Sequence, residues 1–207
     1  MKKLIFLFLI IFVMFINHGC GGSTLGNTGF STYTDPEKSY IDDAWYIYNK
    51  GNYASAKQKF NSMLESNLSA KQEADTYCGL GFATAMEEGI LESKEYFEKA
   101  KDNNADAKVG LAAYYLSLAD KTQFYKGIKE LEELGIQNVD KKYSPSNNND
   151  LNSAKVHTLL GLLYYYSGRF NEAYEQFNAA KTINEPSPDS NIKAVTDAFI
   201  SNTGMTK

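Results

Sequence analysis

Apolar and small residues recur along this chain at helical spacing, most fully as Gly161, Tyr164, Gly168, Phe170, Ala173, Phe177 and Ala180. The same offsets return from Ala44 as Ile47, Gly51, Tyr53, Ala56, Phe60 and Met63. They return again from Gly81 as Thr84, Glu88, Ile90, Ser93, Phe97 and Ala100, and more loosely from Tyr115. Such offsets describe two helices and a turn. A small residue on the first helix admits the second helix closely, a Gly or polar residue ends the first, and a small, large, small series faces inward along the second. Asp35 as N-cap and Pro36 in the first turn predict a helix running to about Lys50. Further helices are expected near 53 to 66, 70 to 87, 90 to 102, 106 to 119, 123 to 134, 151 to 167 and 170 to 183. Ser187 and Pro188 open a ninth, whose Ile192, Val195 and Phe199 share one side, as a helix covering the end of a stacked core requires.

The step from Gly81 to Tyr115 is 34 residues, and the chain resembles the tetratricopeptide repeat (TPR) family, in particular bacterial TPR lipoproteins. The stretches that carry the resemblance are LLGLLYYYSGRFNEAYEQFNAAKTINEPSP, residues 159 to 188, and AWYIYNKGNYASAKQKFNSML, residues 44 to 64. The second unit has Glu88 where a turn glycine is usual. The third keeps Phe124, Gly127, Leu131 and Leu134 but puts Tyr115 at the small position. Taking Ala112 as that small residue instead is expected to require an insertion before the second helix, so the register stays open. The resemblance implies an all-α fold, a right-handed α-α superhelix of four hairpins at about 37–70, 74–107, 108–141 and 154–187. A capping helix and tail then occupy 187–207.

Ahead of the repeats, Lys2 and Lys3 precede an apolar run from Leu4 to Ile16. It is short for a membrane span, which needs roughly 20 residues, and suits a signal peptide over 1–19. Asn17, His18, Gly19 and Cys20 resemble a degenerate bacterial lipoprotein cleavage box, with Cys20 as the lipidated residue. An uncleaved anchor and an ordinary secretory signal are the alternatives. Lipidation with more than one acyl chain anchors stably, and residues 20–35, rich in Gly, Ser and Thr, are expected to act as a flexible tether. Gly21 after the cysteine resembles the pattern that permits outer-membrane sorting. The expected location is therefore the exported side of the cell membrane or the outer membrane.

Without residues 1–19 the chain carries 19 Lys plus Arg against 25 Asp plus Glu. That acidic balance, with no basic stripe, speaks against nucleic acid as a partner. Cysteine is confined to Cys20 and Cys78, which excludes a disulfide framework and a zinc-type spacing. Cys78 reads as a small buried or groove-lining group and His157 as a packed histidine. Gly79 and Gly81 lie within helical periodicity, not after a strand, so they are no nucleotide loop. The pairs Glu87 and Glu88, Asp42 and Asp43, and Glu130 with Glu132 and Glu133 read as solvated helix faces. No nucleophile, base and charge-stabilising group converge, so no catalytic residue, metal or cofactor is expected and no enzyme activity.

In the TPR family the first helix of each hairpin lines a concave binding surface. The resemblance assigns this role to Ile41, Trp45, Tyr48 and Asn49, then Cys78, Phe82 and Met86, then Val109 and Leu116, and finally Leu162, Tyr165 and Tyr166. An aromatic groove suits a hydrophobic peptide or helix. The alternative is a groove filled from within, by the tether near Phe30 and Tyr33 or by the last helix. The polar segment GIQNVDKKYSPSNNNDL, from Gly135 to Leu151, interrupts the repeat as a long loop, either disordered or a partner contact. The expected function is a membrane-anchored adaptor that binds another envelope protein or peptide. A ligand-binding accessory of a periplasmic transport system is the alternative.

Overall fold

The computed structural model describes residues 36–183 together with residues 196, 197, 200 and 201. The signal peptide, the tether and the Asp35 cap lie outside the described residues. Among those described the chain is all-α and has no strand. The helices are α1 (Pro36–Asn49), α2 (Tyr53–Met63), α3 (Ala70–Glu87), α4 (Lys94–Ala100, entered through a 3-10 turn at Ile90–Ser93), α5 (Ala105–Ser117), α6 (Lys121–Glu132), α7 (Ser153–Ser167) and α8 (Phe170–Thr182).

Local chemistry sets most helix starts, because the first N–H groups of a helix need side-chain acceptors. Asn52, Asn104, Asp120 and Asn152 each accept from an N–H in the first turn of α2, α5, α6 and α7. Ser69 and Gln72 form a reciprocal capping box at α3. Each helix packs against its neighbour in sequence, and α1 touches α3, α3 touches α5, and α5 touches α7. The first helices of successive pairs therefore share one face.

The core repeats a single interlock. Phe97 on α4 lies against Gly81 of its own pair and Gly110 of the next, and a Cβ on either glycine would stand 2.5 Å from the ring. Phe60 meets Gly79 in the same way, at 2.2 Å, and Phe177 meets Gly161 at 2.6 Å. Each of these rings is fully buried, a burial that contributes roughly 1.5–3 kcal/mol per side chain.

This interlock fixes the third register. Gly79 precedes Gly81 by two positions, as Gly110 precedes Ala112, so Ala112 is the small residue and Tyr115 is not. Ala119 confirms it: its φ of 53° puts it in the left-handed turn conformation that Gly51 and Gly168 adopt seven residues after Ala44 and Gly161. No insertion precedes α6, since α6 begins at Lys121, as far from Ala112 as Tyr53 is from Ala44. Tyr115 instead reaches back to donate to Glu98 at 3.2 Å. In the second pair the turn conformation moves one residue on, from Glu88 to Gly89 with φ 109°.

Of the ninth helix, Ile192, Val195 and Phe199 lie outside the described residues. Thr196 is helical and fully buried, Asp197 pairs with Lys181 of α8 at 2.6 Å, and Ile200 packs on the core.

Candidate functional site

The face built by α1, α3, α5 and α7 is covered. Of the twelve residues assigned to a groove, Ile41, Trp45, Tyr48, Cys78, Phe82, Val109, Leu116 and Leu162 are buried, and Asn49, Met86, Tyr165 and Tyr166 are half-buried. The expectation of an open aromatic groove is corrected accordingly. Trp45 packs edge-on against Tyr48 and Phe60, and Phe82 against Phe97, which joins these rings to the interlocking core. Tyr165 and Tyr166 stand apart, beside Phe170 and Phe124 respectively.

The tether near Phe30 and Tyr33 lies outside the described residues, and what the described residues place over α1 and α5 is a different segment. It is the Asn-rich segment between α6 and α7, which is ordered and crosses back over the first helices. Asp106, fully buried in the first turn of α5, is its main post. Its carboxylate accepts from the Tyr143 hydroxyl and from the backbone N–H groups of Ser146 (3.0 Å), Asn147 (3.1 Å) and Asn148 (3.3 Å). Three successive N–H groups turned on one carboxylate make an anion-binding nest. A buried charge is tolerated where such donors satisfy it.

Asn49, at the end of α1, is the second post. Its amide nitrogen donates to the Asn147 carbonyl at 3.2 Å, and its amide oxygen accepts from the Asn149 N–H at 3.2 Å. Both contacts go to main chain, so they hold the bent segment through groups that do not depend on its side chains. Between the posts Asn148 is fully buried. Burial, first, and the charge of Asp150 raise Tyr48 well above the usual tyrosine range, while the Asn148 side chain acts in the opposite sense. The Tyr48 hydroxyl and the Asn148 amide nitrogen nevertheless have no hydrogen-bond partner of good geometry, and neither has Trp45 Nε1.

The segment's approach to α7 is pinned as well. Ser153 Oγ accepts from the Tyr143 N–H at 2.9 Å. His157, fully buried, sets Nε2 2.8 Å from the Lys141 carbonyl and Nδ1 2.6 Å from Gln176 Oε1, while Gln176 Nε2 donates to the Gln137 carbonyl. Its ring nitrogens are thus spent on tying the segment to α7 and α8. Cys78 is a free, buried thiol, pushed up by burial first and then by Asp106 and Asp75.

Several surface carboxylates are paired: Glu88 with Lys57, Asp43 with Lys59, and Glu133 with Lys108. Glu130 departs from its expected solvated face, being buried with Lys101 at 3.4 Å. Among the described residues no group of three or more His, Cys, Asp or Glu is placed to hold a metal ion. No helix of the described residues is long and apolar enough to cross a membrane.

Sequence reasoning missed Asp106, Tyr143 and Asn147 to Asn149. One signal was present: Asp106 shares a helix side with Val109, Gly110 and Ala113, an acid among inward positions. The chain matches no family model, no curated protein and no solved structure.

Proposed function

We propose that this chain is a TPR-like adaptor, held to a bacterial envelope membrane through Cys20, that binds a polypeptide segment of another envelope protein on its first-helix face. The observation that carries this reading is the way that face already holds a looped stretch of this chain by its main-chain groups. Asn49 and Asp106 grip main-chain groups, which any polypeptide presents and a small molecule does not. The pairing of helices and the recurrent glycine–phenylalanine interlock support the TPR-like, right-handed stack.

A photo-crosslinking residue in place of Asn49 in the full-length chain, irradiated in native membranes, tests the reading. One discrete polypeptide should be captured from position 49, with much less from the exposed Tyr46. Equal labelling from both positions, or none from either, would eliminate the first-helix face as the partner surface.

A further inference from the structure

We propose that residues 143–150 are a removable cover over the first-helix face, latched by Asp106 and Asn49, and that a partner segment gains that face only when the latch opens. This rests on the adaptor reading for the partner, but the cover's opening is a property of the chain alone.

The cover is attached as a movable part would be. Of its eight residues only Asn148 is fully buried, and the others are half-buried or exposed. Its hold on α1 and α5 is concentrated in hydrogen bonds at two posts, with Tyr143 the one residue of the eight among the hydrophobic side chains packed against the core. Segments with few buried apolar contacts open at lower free energy than the helices beneath them. The fit is also imperfect. The Tyr48 hydroxyl and the Asn148 amide nitrogen are buried against each other without a hydrogen bond of good geometry, and a poorly formed buried bond weakens the closed state. An incoming segment that offers a carbonyl to Tyr48 makes a well-formed bond where the resident segment makes a poor one. The posts read main chain, so they serve the newcomer equally: Asn49 accepts one N–H and donates to one carbonyl, and Asp106 takes a run of N–H groups.

A reporter is built in beneath the cover. Cys78 is fully buried on α3, in the core cluster that includes Tyr48 and against which Tyr143 packs. Closed, the thiol is inaccessible; with residues 143–150 lifted, it faces solvent while the helices stay folded.

The full-length protein in detergent is treated with iodoacetamide over a series of urea concentrations below the unfolding transition, and modification at Cys78 is followed by peptide mass spectrometry. At low urea the rate should be nearly independent of denaturant, the signature of an opening that exposes little surface. Asn49→Ala should raise it about ten- to a hundredfold, the factor lost with two hydrogen bonds of ordinary strength, with helix content unchanged by circular dichroism. Asp106→Asn should raise it further; if that variant does not fold, Asn49→Ala alone decides. Cys78 modification that follows the full urea dependence of global unfolding, in the wild type and in Asn49→Ala alike, overturns the cover and makes residues 143–150 permanent core. That result leaves the adaptor reading intact with a partner on another surface. Urea-independent opening combined with no crosslinked polypeptide at position 49 supports the cover and removes the adaptor.

Discussion

Gly110 on α5 lies so close beneath the Phe97 ring of α4 that a single added methyl would stand 2.5 Å from Cε1. In an exposed helix interior, Gly→Ala stabilises by about 1 kcal/mol. Here the ring is fully buried and is held on its other side by Gly81, so it has nowhere to retreat. Gly110→Ala should therefore destabilise by about 1–3 kcal/mol, the usual cost of overpacking. Urea denaturation checks the sign. A variant as stable as the parent would show that the helices separate freely and that the interlock does not set their spacing.

Trp45→Ala and Phe82→Ala should each lower stability by about 3–5 kcal/mol, because both side chains are core rather than binding surface. Their rings belong to one cluster, so the double variant should depart from additivity. Thermal melts followed by circular dichroism decide. Unchanged melting with lost partner capture would return these residues to an open groove.

Alkali should unfold the protein through its buried phenols. Burial and the neighbouring Asp106 carboxylate raise Tyr143 far above its ordinary value, burial foremost raises Tyr48, and burial with Glu98 pushes Tyr115 up to about 12. Unfolded tyrosine ionises near pH 10. Above that pH the unfolded chain holds fewer protons than the folded one, so stability is fully present below about pH 10 and falls as pH rises through the folded values. Tyr143→Phe removes one such group and should flatten the decline. Urea midpoints at stepped alkaline pH measure it, and a decline of equal steepness in the variant would show that Tyr143 is not among the groups responsible.

Cys20→Ala should shift the protein from the membrane to the soluble fraction and leave the precursor uncleaved by the lipoprotein peptidase, since one apolar run of this length without acyl chains anchors poorly. Fractionation and the apparent mass of the product report both effects. Retention of the variant in membranes, with normal processing, would refute the lipid anchor.

The helices were legible because their determinants are local. Apolar spacing, a Ser, Asn or Asp before the first turns of α2, α3, α5, α6 and α7, and a left-handed residue after α1 and α7 act within a few positions of one another, so α2, α3 and α8 fall almost where periodicity puts them. The third register stayed open because Tyr115 satisfied the 34-residue step, whereas glycine contacts across helices single out Ala112. Nor does any local cue mark Glu130 as buried. Its Lys101 partner lies on another pair.

The sequence by itself determined that the chain builds successive helical pairs with small residues opposite large rings, because side-chain volume and helical period act wherever the pattern occurs. Only the tertiary structure decided what happens to the face those pairs share. The polar segment from Gly135 to Leu151 lacks the apolar periodicity to declare a place for itself. It is positioned by a buried carboxylate about forty residues earlier in the chain and by an asparagine about a hundred residues earlier. Hydrogen bonds between partners so distant in sequence leave no periodic trace, since they depend on where the packed helices carry Asp106 and Asn49 rather than on what stands beside them.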